Sequence, residues 1–159
     1  MATSHVVVLM NGVARMNATR EARPAAGGRN PAMTWPAEGP WSVRLATGRA
    51  GRPALEVYEH GELLDVLVTS TLGGQLLRGA RRAVDGEQPS GLAWGRLDAT
   101  GRLPEVVFAS GRLRPLWRAA ELRELDGGFW LATAPGPLAG VVASWADGRR
   151  ERLRPSRAY

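Results

Sequence analysis

Residues 104–154 read PEVVFASGRLRPLWRAAELRELDGGFWLATAPGPLAGVVASWADGRRERLR, and the punctuation of this stretch decides the fold class. Ala109-Ser110-Gly111-Arg112, Leu125-Asp126-Gly127-Gly128 and Ala146-Asp147-Gly148-Arg149 each set glycine between short apolar runs. Runs of this length broken by Gly-containing turns are the signature of consecutive β-hairpins. Trp117, Trp130 and Trp145 lie in the same stretch and supply bulk for a core.

The turns also predict register. A two-residue Ser110-Gly111 loop pairs Phe108 with Leu113, Val106 with Pro115 and Pro104 with Trp117. Val106, Phe108, Leu113 and Trp117 then share one face, while Glu105, Arg112, Arg114 and Arg118 take the other. A slip of one residue scrambles that sorting. Pro115 has no N–H to give a ladder, which points to an edge strand or a bulge. In the last hairpin, a three-residue loop with Gly148 at a bulge gathers Val141, Ala143, Trp145 and Leu153. Arg150 and Arg152 turn to the opposite face.

Upstream, Ala54 to Glu59 and Glu62 to Thr69 flank His60-Gly61, which reads as a tight hairpin. Trp41-Ser42-Val43-Arg44-Leu45 alternates as a half-buried strand does. Leu92–Leu97 and Pro104–Ala109 read as strands around Ala99-Thr100-Gly101. Between them, Leu72–Val84 carries a helical pattern. Leu72, Leu76, Leu77, Ala80, Ala83 and Val84 fall within an arc of about 140°, with Arg78, Arg81 and Arg82 opposite. Gly79 counts against that helix by about 1 kcal/mol relative to Ala. Residues 5–10 read as one short strand, and the Pro- and Gly-rich segment 11–40 as an irregular arm.

The expected architecture is therefore mainly β. It is an antiparallel Greek-key-like sandwich or a partly open barrel, with one short amphipathic helix and an irregular N-terminal arm. Residues 1–159 make one domain: the arm at 11–40, a β-rich body at 41–154 and a tail at 155–159.

Composition narrows the chemistry. With Cys 0, disulfides, thiolate nucleophiles and Cys zinc sites are excluded. Met1–His5 has no basic segment, and the apolar run Val6–Met10 is too short for a signal peptide or a membrane span. A cytoplasmic location without membrane contact is expected. The net charge is +6, and every basic residue is arginine, as in proteins from GC-rich bacterial genomes. From Gly148 to Tyr159 there are five Arg and one Glu, so +4 of the +6 lies in the last dozen residues.

Several constellations invite a functional reading. His60 sits among Glu59, Glu62 and Asp65, groups able to make a general base or half a metal site. No second His or any Cys accompanies it in that stretch, and a solvated turn is the simpler account. Thr69-Ser70-Thr71-Leu72-Gly73-Gly74 resembles neither phosphate-loop pattern and reads as a turn, with Ser70 or Thr71 capping the helix. Asn17-Ala18-Thr19 matches a glycosylation acceptor, which has no meaning without a secretory signal.

Two basic features remain: Arg78, Arg81 and Arg82 on the helix face, and Arg149, Arg150, Arg152 and Arg154 on the final strand, extending to Arg157. If they adjoin, they make a stripe suited to an anionic partner. Most tryptophans take core-facing positions, which leaves no evident stacking platform. The preferred function is a non-catalytic protein-interaction module or accessory subunit, contacting another protein or itself and needing no cofactor. Nucleic-acid binding through the arginines is the alternative. A small enzyme with its site in a barrel mouth is the third reading.

Overall fold

The computed structural model describes residues 40–70, 74–85, 88–111 and 114–157. The strand expected at 5–10, the arm up to residue 39 and the Asn17 motif lie outside these residues. The strands are β1 (Trp41–Thr47), β2 (Pro53–Glu59), β3 (Glu62–Val68), β4 (Leu77–Asp85), β5 (Gln88–Arg96) and β6 (Glu105–Ser110). They continue with β7 (Leu116–Ala119), β8 (Glu121–Leu125), β9 (Phe129–Pro135), β10 (Leu138–Ser144), β11 (Arg150–Leu153) and β12 (Ser156–Arg157).

Among the described residues these strands form three sheets, and none of the three closes into a barrel. The first has the order β1-β2-β3, the middle one β12-β4-β5-β9-β8, and the last one β11-β10-β6-β7. All pairings are antiparallel except the short parallel contact of β12 with β4. Among the described residues, no helix is long and apolar enough to cross a membrane.

The middle sheet is apolar on both faces, and this organises the protein. Leu92, Trp94, Phe129 and Leu131 pack with Trp41, Val43, Leu55, Val57 and Leu67 of the first sheet. The alternate residues Ala93, Trp130, Ala132 and Ala134 pack with Val106, Phe108, Leu138, Val141 and Ala143 of the last sheet. A strand covered on both sides loses polar alternation, which is why β9 reads Phe-Trp-Leu-Ala-Thr-Ala.

The same fact corrects the expected helix. Leu77–Asp85 is strand β4, paired along its length with β5. Its apolar residues divide between two faces: Leu77 and Ala80 join one cluster and Ala83 the other. A bulge between Leu77 and Gly79 shifts the alternation by one. Two-sided burial plus one bulge imitates a helical stripe. Gly79 is a seat here, because a Cβ on it would lie 2.2 Å from the ring of Trp94 across the ladder.

Two hairpins form as expected. His60 and Gly61 have φ of 50° and 84°, the left-handed pair of a two-residue turn between β2 and β3. In the last hairpin Val141 pairs with Leu153 and Val142 with Arg152, leaving a three-residue loop with Gly148 at φ 85°.

The β6–β7 hairpin differs. Phe108 pairs with Arg118 and Ala109 with Trp117, so residues 111–115 all belong to the connection. The expected pairing is displaced by five positions, an odd number, and every β7 side chain changes face. Phe108 is fully buried as expected, but Trp117 lies on the outer face and is 46% exposed. Pro115 falls in the loop and β7 at the sheet edge, so no ladder bond is lost to it.

One carboxylate ties each outer sheet to the middle one. Asp65 of β3 accepts bonds from the Trp94 indole at 3.0 Å and from the Arg78 guanidinium at 3.0 and 3.1 Å. Glu151 of β11 accepts the backbone N–H groups of Leu76 at 3.0 Å and Leu77 at 2.8 Å, where β4 has no neighbouring strand.

Candidate anion-binding site

Strand alternation sorts the seven candidate arginines. Arg81 and Arg82 are consecutive on β4, so they point to opposite faces of the middle sheet. Arg81 pairs with Leu92 and faces the first sheet. Arg82 pairs with Gly91 and reaches the rim of the last sheet, where its Nη1 donates to the Leu138 carbonyl at 3.5 Å. On β11, Arg150 and Arg152 turn outward with Ser144 and Val142, while Glu151 and Leu153 turn inward with Ala143 and Val141. Arg154, just past β11, is exposed.

The C-terminal residues close the gap between the two basic groups. Ser156–Arg157, within the segment read from the sequence as a tail, is a strand; it lies parallel to β4, pairing Ser156 with Arg81 and Arg157 with Arg82. This pairing carries the end of β11 to the edge of β4. Arg82, Arg152 and Arg154 consequently line one pocket of about 290 Å³, together with Ala109, Gly111 and Pro115. Its described lining holds no carboxylate. Gly140 leaves room for the Arg152 guanidinium, which would lie 3.9 Å from a Cβ placed there. Arg82 Nε is buried without a hydrogen-bond partner among the described residues.

The other arginines go elsewhere. Arg78 is committed to Asp65. Burial opposes ionisation of Asp65, but the bonds from Arg78 and Trp94, the Arg78 charge and the Val66 N–H outweigh it and hold the carboxyl below its ordinary range. Arg149 lines a separate pocket of about 500 Å³ with Arg96, Arg102, Asp98 and Asp147. There two acids partly offset three bases. Asp98 already closes a turn by accepting from Thr100 and Arg102, and these bonds, that of Thr100 foremost, depress its pKa. Arg150 sits in the row Glu105–Ser144–Arg150, which brings an acid to its end of the face.

The residues around His60 are dispersed. His60 is exposed at its turn, and Glu59 is buried, accepting the Trp41 indole N–H at 2.9 Å. Glu62 is exposed and Asp65 is the tie described above. Among the described residues, no group of three or more His, Cys, Asp and Glu is placed to hold a metal ion. In the segment 69–74, Thr69 bonds the Pro53 carbonyl and the Ser70 carbonyl accepts from Arg96. With β4 in place of a helix, Ser70 has none to cap, and Thr71 lies outside the described residues.

Trp117 is the functional candidate that sequence reasoning missed. It pairs with Ala109, a pocket-lining residue, and so shares the outer face with Arg152. The signal lay in Arg114-Pro115, since a proline better suits the connection than a ladder position. No protein-family model, curated protein or solved structure matches this chain.

Proposed function

We propose that this protein is a non-catalytic binding module that takes an anionic partner at the Arg82–Arg152–Arg154 pocket. The scaffold is read as a Greek-key-like sandwich of the middle and last sheets, with the first sheet backing it. One observation carries the proposal: Arg82 from β4 and Arg152 and Arg154 from the C-terminal segment line one pocket whose described lining holds no carboxylate. Gathering like charges opposes folding, and an anion reverses that cost through charge-assisted bonds. Arginine offers planar, paired donors that suit phosphate and carboxylate oxygens.

The test is calorimetric titration with inorganic tripolyphosphate at low salt, alongside a thermal melt. Binding is expected with a rise in Tm, and both effects should shrink in Arg82→Gln and Arg152→Gln. Absence of heat and of any Tm shift with the wild-type chain would overturn the reading. Protein contact, the other form of a module, is supported by Leu63 and Val66, which stand exposed on the first sheet. Sedimentation across a concentration series tests self-association there; an unchanging monomer mass would remove it.

A further inference from the structure

We infer that the partner of this face is a single-stranded nucleic acid, held by its phosphates at the arginine pocket and by a base stacked on Trp117. The inference rests on the anion-binding reading above and narrows it.

Trp117 is set apart from the other described tryptophans. Trp41, Trp94, Trp130 and Trp145 are at most 5% exposed, whereas Trp117 is 46% exposed. An indole on an edge strand gives up apolar burial that the rest of this fold takes elsewhere. Leu116 beside it is also exposed. Trp117 and Ala109 are cross-strand partners, and Ala109 lines the pocket. Trp117 and Arg152 therefore share the outer face of the last sheet, and Arg82 reaches the same pocket from the edge of the middle sheet.

Arg150 and Arg152 recur at alternate positions of β11, a spacing of roughly 6.6–6.8 Å on one face, and Arg154 follows two residues on and lines the same pocket as Arg152. A repeating anion uses such a row better than a single one does. Glu105 marks the unfavourable end, in the row of Arg150, so the basic tract runs from Arg152 and Arg154 towards Trp117.

An acidic peptide would satisfy the charges but leave the indole without a stacking partner. A duplex hides its base faces, so it would leave the indole without a base to stack on. An unpaired strand uses both elements, because every base has a face to stack and every link a phosphate.

Fluorescence anisotropy at low salt decides this, using labelled dT12, rU12, a duplex of equal length and polyglutamate. The single strands should bind more tightly than the duplex and polyglutamate, with affinity falling as salt rises. Trp117→Ala should weaken dT12 by about tenfold or more, and Trp117→Phe by far less. Arg152→Gln should lower the salt slope by about 0.7. An unchanged far-UV melt shows that Trp117→Ala remains folded. Equal binding of duplex or polyglutamate, or no effect of Trp117→Ala, would overturn the inference while tripolyphosphate binding preserved the pocket. Loss of both oligonucleotide and tripolyphosphate binding would remove the two readings together.

Discussion

The first and last sheets cover opposite faces of one middle sheet, and each is tied to it by one carboxylate. They differ in what they turn to solvent. On the first sheet, Arg44 pairs with Glu56, whose carboxylate also accepts the Tyr58 hydroxyl, and the guanidinium lies 5.7 Å over the Tyr58 ring. Glu56 raises the pKa of both Arg44 and Tyr58, chiefly by hydrogen bonding. At the rim of the last sheet, Arg152 of β11 and the following Arg154 line one pocket with Arg82 of β4, and none of the three has an ion-pair partner among the described residues. A count of arginines does not separate the two surfaces. What separates them is whether a carboxylate stands within reach.

The sharpest way to break this contrast is to ask whether the last sheet has the two faces assigned to it. Phe108 is fully buried on the inner face, and Phe108→Ala should destabilise by about 3–5 kcal/mol. Trp117→Ala, one strand away and outward, should cost less than about 1 kcal/mol. Urea unfolding of the two variants measures both. Similar losses would mean that Trp117 belongs to the core and the proposed surface is misplaced.

The middle sheet offers the next effect. In Gly79→Ala the new methyl meets the Trp94 ring, and neither strand can retreat without opening an apolar cluster. A loss of roughly 1–3 kcal/mol is expected. A helix at this position would instead gain about 1 kcal/mol from the same change. The sign of the effect in a denaturant titration is thus a direct check on β4.

How far the sequence disclosed this design depended on the range of the interactions. His60-Gly61 and Asp147-Gly148 carry turn chemistry locally, so their hairpins and registers were legible. β4 was not, because its pattern results from partners on two faces, and a single chain does not say how many faces it buries. Trp117 was misassigned because Ser110-Gly111 imitates a two-residue loop, whereas the connection runs on to Pro115. The pocket was the least legible part. Arg82 and Arg152 come to one pocket through long-range contacts that no local pattern shows: Ser156–Arg157 pairs with β4, and Glu151 of β11 bonds the edge of β4.

The two carboxylate ties should differ in kind as well as size. Glu151→Ala leaves the Leu76 and Leu77 N–H groups at the edge of β4 without their acceptor. It should destabilise by about 1–3 kcal/mol, with little dependence on salt because the partners are backbone groups. If salt erased the loss, the tie would be electrostatic and the last sheet would be held as the first one is.

Asp65 should give the smaller and more conditional effect, since its partner Arg78 is half-exposed and screened. Its carboxyl titrates below the usual value of about 3.9, so the folded state favours the ionised form. The sign follows from linkage: this stabilisation is fully present above the unfolded-state pKa and is lost as pH falls through the lower folded-state value. Asp65→Asn should therefore be less stable than the wild type at pH 7, by on the order of 1 kcal/mol after screening. The gap should narrow as the pH drops below about 4, where the wild-type carboxyl takes up its proton. Urea melts of both proteins at pH 7 and pH 3 measure it. A gap that stayed constant would show that Asp65 holds the first sheet through hydrogen-bond geometry alone. The attachment of the two outer sheets would then be alike, and only their outward charge would distinguish them.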